Sequence, residues 1–425
     1  MNAEQKLLLL SKEKKTLKRK LKKTKKWLLI LGIPYAIPLL PILLPLYLLK
    51  RKNKKIKLKN NIVNRLFSIH QFSAPDALNH IKKNNHLTPP GTEALFKSMS
   101  CEKDEDWLEW FNTFLEQQKI PTIFLTESGQ NRFQKIRFSS NPTISSDIKI
   151  SVIMPAYNSE ATIEVAIQSI LNQTWKNLEL LVIDDCSTDK TLHIVSQLAE
   201  QDSRLRVIHN AVNTGPYVAK NRALSFSTGD YITGHDADDI ALPNRLQKQV
   251  EPILSEANCE ATLGFMIRLD ENALFSSASP IGKTSFNGIC LLAYISLMLP
   301  RSTLIDQLGF WDTVRFGADS EMIARVQSLL GDRLKRLDTV TMLCLDHPSG
   351  LTNDTEHGIK TVCGLSDSRK NYKTNWQNWH IKTSADNRHL PFPHIQNRKF
   401  EAPTSMHVSS EALTTEAKEL TGNSS

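Results

Sequence analysis

The sequence predicts an α/β protein built on a mainly parallel sheet, and two observations carry that prediction. Between residues 148 and 245, short apolar runs alternate with amphipathic stretches about every 25 to 30 residues, the rhythm of strand–helix–strand units. Leu178 to Ile183 is an unbroken apolar run, as expected of a strand buried on both faces of a parallel sheet.

The elements follow in order. Ile148 to Met154 alternates like a strand and ends in a turn, Pro155-Ala156-Tyr157-Asn158. Ser159 is placed to cap a helix whose apolar positions Ile163, Ala166, Ile167, Ile170 and Leu171 form one stripe. The second strand, Leu178 to Ile183, runs into Asp184-Asp185. A second helix carries Leu192, Val195, Leu198 and Ala199, and a third strand spans Leu205 to Ile208. A third helix holds Ala219, Ala223 and Leu224, and a fourth strand opens at Tyr231-Ile232-Thr233 and ends at Asp236.

The 425 residues suggest two or three structural units, and 40% hydrophobic with 23% charged residues excludes wholesale disorder. Six cysteines without a CxxC pair argue against a zinc module or a disulfide framework and fit a reducing compartment. The net charge of +9 is unevenly placed. Residues 1–65 hold 19 Lys/Arg against two acids, while the remaining 360 hold 34 basic and 42 acidic side chains. The basic character therefore belongs to an arm, residues 1–26. It abuts an uncharged segment, 27–49, long enough for a membrane span of about 20 residues. Pro34, Pro38, Pro41 and Pro45 would bend a helix there, and Lys/Arg on both flanks would keep both ends cytosolic. A re-entrant or interfacial membrane segment beside an anionic lipid surface satisfies these constraints, each charge contributing about 1 kcal/mol near that surface. A nucleic-acid-binding tail is the poorer fit, because no aromatics interleave the basic cluster.

Residues 50–147 read as a basic linker and a helical accessory region, broken at Pro89-Pro90-Gly91, with the stretch around Trp107 to Leu115 in helical spacing. Residues 351–400 read as a C-terminal helical extension whose stripe Arg369, Tyr372, Trp376, Trp379 and His380 would pack back on the main domain. Residues 401–425, poor in apolar side chains, are expected to be disordered.

In such sheets, ligands sit beyond the carboxyl ends of the strands. Here the first exit carries Pro155–Asn158, the second Asp184-Asp185, and the fourth Asp236-Ala237-Asp238-Asp239. One aspartate at a strand end is ordinarily a turn former or cap. Two clusters at neighbouring exits would point into one crevice, where they repel unless a hard cation neutralises them, and magnesium or manganese with a phosphate suits oxygen ligands. No GxGxxG occurs, and Gly282-Lys283-Thr284 lacks the first glycine of a P-loop, Ser277 standing in its place.

At these residues the sequence resembles family-two glycosyltransferases of the GT-A fold. The resemblance rests on Val152–Asn158, Val182–Asp189, Asn213-Thr214-Gly215 with Ala219-Lys220-Asn221, Asp236–Asp239 and Leu242–Leu246, and covers 148–350. It implies a nucleotide-sugar donor, with Pro155, Ala156, Tyr157 and Asn158 lining the base, Glu160 the ribose side, and Asp185 on the uracil edge. Lys220 would lie near the donor. Asp236 and Asp238 match the DxD motif, Asp238 on a divalent metal (Mn2+ or Mg2+) and Asp236 nearer the sugar, with Asp239 a second candidate for metal or ribose. Ala318-Asp319 stands where the family commonly has Glu-Asp, which makes Asp319 the implied general base and Glu321 its fallback. A lone His347 after Asp346 is more often satisfied by neighbours than a metal ligand.

The wording Gly317-Ala318-Asp319-Ser320-Glu321 with Trp376–His380 and Leu390–Pro393 most resembles bacterial capsule and surface-polysaccharide transferases. The expectation is a metal-dependent, inverting transferase on the cytoplasmic face of a bacterial inner or plasma membrane. It would pass a sugar from a donor, UDP-linked in the first instance, to a saccharide or lipid-linked acceptor, beside other polysaccharide-assembly proteins and without nucleic acid. The rival reading is a catalytically inactive nucleotide-sugar-binding scaffold subunit. A nucleotidyltransferase would want a glycine-rich basic loop after the first strand, which Pro155–Ser159 does not supply.

Overall fold

A computed structural model describes residues 74–414 apart from 85–87, 140–141, 280–283, 348–349, 352, 355, 359–364 and 393–397. The basic arm, the apolar segment 27–49 and the basic linker through residue 73 lie outside the described residues. No helix among the described residues is long and apolar enough to cross a membrane.

The main sheet assembles where the apolar runs require it. β3 (Ile150–Ala156) lies between β4 (Leu178–Asp184) and β6 (Tyr231–Gly234), and β5 (Leu205–His209) flanks β4, all four parallel. Every residue of β4 is buried, as its unbroken apolar run demands. β10 (Met298–Pro300) then pairs antiparallel to β6 and to β8 (Ala261–Leu269). β8 runs parallel to β11 (Leu334–Leu345), and β7 (Ile240–Ala241) closes the far edge antiparallel to β11. The carboxyl ends of β3, β4, β6, β8 and β11 consequently share one edge. Parallel strands need crossovers, and α5 (Ile163–Leu171), α6 (Thr191–Gln201) and α7 (Pro216–Phe226) supply them. The expected stripe of α5 is buried at all five positions.

The accessory region is helical as expected in α1 (Ala74–Asn84), α2 (Thr92–Ser98) and α3 (Asp104–Gln117). It also contains a two-stranded antiparallel sheet, β1 (Ile123–Leu125) with β2 (Ile136–Phe138), joined through the short helix α4 (Arg132–Lys135). Three-residue strands are too short to leave an alternating pattern in the sequence. Trp107, Phe111, Phe114 and Leu115 of α3, spaced i, i+4, i+7 and i+8, enter the same hydrophobic core as Leu263 and Phe265 of β8. Arg132 ties this region down: its Nε donates to Asp104 at 2.8 Å and its NH1 to the Asn272 carbonyl at 3.0 Å.

Three later helices complete the domain. α8 (Arg245–Ser255) follows β7, α9 (Ala318–Leu330) precedes β11, and α10 (Asp367–Lys382) packs its Tyr372 and Trp376 against Val314, Phe316, Leu390 and Met406. The extension thus folds back as its stripe suggested. The expectation of disorder over 401–425 is corrected for residues 401–414, while 415–425 lie outside the described residues: Met406 is fully buried, its carbonyl accepts from the Arg315 amide at 2.9 Å, and Ala412 and Leu413 pack on Val218. A few well-spaced apolar residues suffice for a segment that adds to an existing core rather than building its own.

One buried charge ties the sheet together at its amino end. Glu179 of β4 accepts from Ser151 at 2.6 Å, from the Thr228 amide at 2.6 Å, and from Lys149 at 3.1 Å. Burial opposes its charge, but these donors prevail and hold the carboxyl at about 2, below its ordinary 4.5. A depressed folded pKa stabilises above the unfolded value and loses that stabilisation as pH falls from about 4.5 towards 2. Glu179→Gln should therefore cost roughly 2–3 kcal/mol at neutral pH and flatten the acid limb of a pH–stability curve measured by urea denaturation. An unchanged acid limb would refute this linkage.

Candidate active site

The shared strand edge opens into a cavity of about 710 Å³. Around it stand the exits of β3, β6, β8 and β11, the start of α7, the start of α9 and one face of α10.

Pro155, Tyr157 and Asn158 line the cavity, and Tyr157 is half exposed. Asn158 takes a positive φ of 47°, as does Cys186 (64°) at the neighbouring exit. The strained turn is braced by the Asn158 side chain, whose Oδ1 accepts from the Thr188 amide at 2.8 Å. Ala156 is buried within the strand core rather than on the cavity wall. Glu160 also falls outside the lining, its carboxylate accepting from the Lys190 amide at 3.0 Å while its own amide donates to Asp189.

The two aspartate clusters do not converge as the sequence suggested. Asp184 and Asp185 are buried and neither lines the cavity. Asp185 faces the loop before α7, accepting from the Thr214 amide and hydroxyl at 2.9 Å each, the Gly215 amide at 2.7 Å and Asn210 at 2.8 Å. With both oxygens so engaged, it stands as the anchor of that loop.

Asp236, Asp238 and Asp239 do line the cavity. The Asp239 side chain is nearly buried and accepts from the Leu345 amide at 3.1 Å, which fastens the acid turn to the end of β11. Burial, followed by the charge of Asp236, raises the Asp238 carboxyl from 3.8 to about 6. Burial and the other two acids push Asp239 well above its usual range, and burial also raises Asp236 against the pull of Lys220. Beneath the turn lies Arg245, fully buried, donating to Thr233 at 3.0 Å and to His235 Nδ1 at 2.9 Å. Burial and Arg245 drive the His235 pKa far down, so the ring stays neutral, accepting at Nδ1 and donating from Nε2 to the Asp239 carbonyl at 3.2 Å.

These acids suit a divalent cation by their chemistry: hard oxygen donors whose crowding lifts their own pKa values until a positive charge arrives. Among the described residues no group of three or more His, Cys, Asp or Glu side chains is arranged to hold a metal ion.

Across the cavity, Gly317 with φ of 92° turns the chain into α9 and sets Asp319 in its first turn. Asp319 lines the cavity together with Lys220, which is almost fully buried and lies 3.5 Å from Asp319 Oδ1. Asn221 holds this segment against α7, its side-chain amide donating to the Trp311 carbonyl and its Oδ1 accepting from the Trp311 amide, both at 2.8 Å. Glu321, the fallback base, is excluded by position. It is fully buried, paired with Arg325 at 2.8 Å and bonded to His380 at 3.0 Å, and does not line the cavity.

Several cavity residues escaped sequence reasoning. Arg268 sits at the β8 exit 3.5 Å from Asp346, and Glu271 pairs with His347 at 2.8 Å. An arginine closing an apolar strand was a readable signal, by the same strand-exit rule that found the aspartates. Tyr217 left no local mark and Arg369 only its place in the helical stripe of residues 369–380, because only the fold brings them beside Asp319.

Sheet, strand-exit acids and the aspartate across the cavity define an α/β protein with the GT-A arrangement. Residues 151–299 match the model of glycosyl transferase family 2. Over 167 residues the chain is 34% identical to the Escherichia coli UDP-Glc:alpha-D-GlcNAc-diphosphoundecaprenol beta-1,3-glucosyltransferase WfgD, covering 39% of this chain and 64% of that protein. It is 38% identical to the putative teichuronic acid biosynthesis glycosyltransferase TuaG of Bacillus subtilis over 26% of this chain and 43% of that protein. The crystal structure of S. aureus TarS 1-349 in complex with UDP aligns with 47% of this chain and 61% of that one, at 22% identity and a TM-score of 0.39. The chain spans about half the length of the curated relatives it matches.

Glu321→Ala should leave Arg325 buried without its partner and cost about 3–5 kcal/mol of stability, read by thermal denaturation. A variant as stable as the parent but inactive would return Glu321 to the catalytic candidates.

Proposed function

We propose that the protein is an inverting, metal-dependent glycosyltransferase of bacterial surface-polysaccharide assembly. In this reading it uses a nucleotide-sugar donor, UDP-linked in the first instance, and a saccharide or lipid-linked acceptor. The observation that carries the reading is the placement of Asp319 on the wall of the same cavity as Asp236 and Asp238. Tyr157 and Asn158 border the donor end. Asp238, with Asp236 and Asp239 beside it, would hold Mn2+ or Mg2+. A bound cation would neutralise the charge that builds on the departing diphosphate. Asp319 takes the proton of the acceptor hydroxyl as that oxygen bonds to the anomeric carbon. The bond from that carbon to the diphosphate breaks on the opposite face, and the nucleotide leaves with the electron pair.

The relatives named for lipid-diphosphate and teichuronic acid chemistry support the acceptor class. The basic arm and the apolar segment 27–49 support a seat at the cytoplasmic face of the membrane, where lipid-linked acceptors lie.

Full-length protein with Mn2+ and a panel of UDP-, GDP- and dTDP-sugars should release nucleotide from one donor. Asp238→Asn should weaken cation-dependent donor binding by about ten-fold or more, while Asp319→Asn should spare binding and cut turnover by about 10²–10⁴-fold. Donor binding without release, even with membrane lipid extract as acceptor, would favour the inactive scaffold. The full chain should sediment with vesicles containing phosphatidylglycerol and a variant lacking residues 1–59 should not. Equal sedimentation of the two would place the anchor elsewhere.

A further inference from the structure

We infer that Tyr217 is the positioning residue of Asp319, and that it leaves Oδ1 as the oxygen that receives the acceptor's proton. This rests on the base role proposed for Asp319. Tyr217 belongs to α7, inside the family match, whereas Asp319 begins α9, beyond it. The two meet across the cavity wall. The Tyr217 hydroxyl donates to Asp319 Oδ2 at 3.0 Å and accepts from the Gly317 amide at 3.2 Å. With the amide hydrogen already directed at the phenol oxygen, the phenol's own hydrogen has one acceptor left, the carboxylate.

That bond engages one carboxylate oxygen and fixes the plane of the other. Among the described residues the partner of Oδ1 is Lys220, at 3.5 Å, too long for a strong hydrogen bond. An acceptor hydroxyl arriving from the cavity therefore finds Oδ1 open and oriented. The phenol itself is no rival base. It is 6% exposed, and burial, with the charge of Asp319, pushes its pKa well above the ordinary 10, so it remains a donor throughout. The ring is held independently of its hydroxyl, lying under the Lys220 ammonium at 5.0 Å and packing with Val314, Phe316 and Ala318. Removing the hydroxyl alone should leave the fold standing while freeing the carboxylate to rotate.

Tyr217→Phe in the full-length chain is the test, read as nucleotide release with the donor identified above. The expected result is about a ten-fold lower kcat with donor KM within two-fold. The loss should vanish in the Asp319→Asn background, because coupled residues are not additive. A merely structural tyrosine would move KM and thermal stability, and its effect would add to that of Asp319→Asn. Wild-type kcat in Tyr217→Phe, or additivity in the double variant, would overturn the inference while leaving the transferase reading intact. Absence of release from the parent protein with every donor would overturn both.

Discussion

A guanidinium without exposed surface lies beneath the acid turn, and the cavity's geometry depends on it. Arg245 bonds the end of β6 through Thr233 and the neutral ring of His235, and Gln249 accepts from it at 3.1 Å one helical turn on. Its charge attracts Asp239 and Asp236 from below, while Lys220 and Arg268 are the stronger counter-charges of the acid turn. Burial lowers the Arg245 pKa to about 10, still high enough to keep it charged at neutral pH. Without Arg245, the side chains of Thr233, His235 and Gln249 would lose their common donor beneath the acid turn.

Much of this was legible in the sequence, and the reasons are local. Strand β4 announces itself as an apolar run, α5 as a 3.6-residue stripe, and Asp236–Asp239 as polarity placed where a parallel sheet binds ligands. Legibility ends where a role depends on which way a side chain turns. Asp185 and Asp238 look alike in sequence, each an aspartate at a strand exit. The first turns to the amides of Thr214 and Gly215, the second into the cavity. Asp319 and Glu321 are two residues apart in the first turn of a helix, about 200° around the axis, so one meets the cavity and the other the core. The short pair β1–β2 and the packed tail through Leu413 were missed for a related reason. Their stability comes from surfaces they join rather than from any periodicity of their own.

The cavity also shows how labour is divided along the chain. The parallel half, β3 to β6, brings the Pro155–Asn158 turn and the acids. Its continuation, β8 to α10, brings Arg268, Asp319 and the wall around Arg369. The accessory region reaches the rim as well, where Asn131 and Gln134 line the cavity and the Phe133 amide donates to the Glu271 carbonyl at 3.1 Å. The match to glycosyl transferase family 2 ends at residue 299. The residues beyond that match therefore supply the far wall, with Asp319 and Arg369 on it.

The bonds around Asp185 bear on how mutational scans of this chain should be interpreted. Its carboxylate joins the exit of β4 to the first turn of α7, and α7 carries Tyr217, Lys220 and Asn221 on one short helix. A substitution at Asp185 would release that helix start and disturb the opposite wall through the scaffold. A functional screen would then rank Asp185 beside Asp238 and Asp319, although it does not line the cavity. Loss of activity alone thus measures two different quantities here, contact with the reactants and the stiffness of the frame that holds those contacts. Only a readout of frame stability, taken on the same variants, separates them.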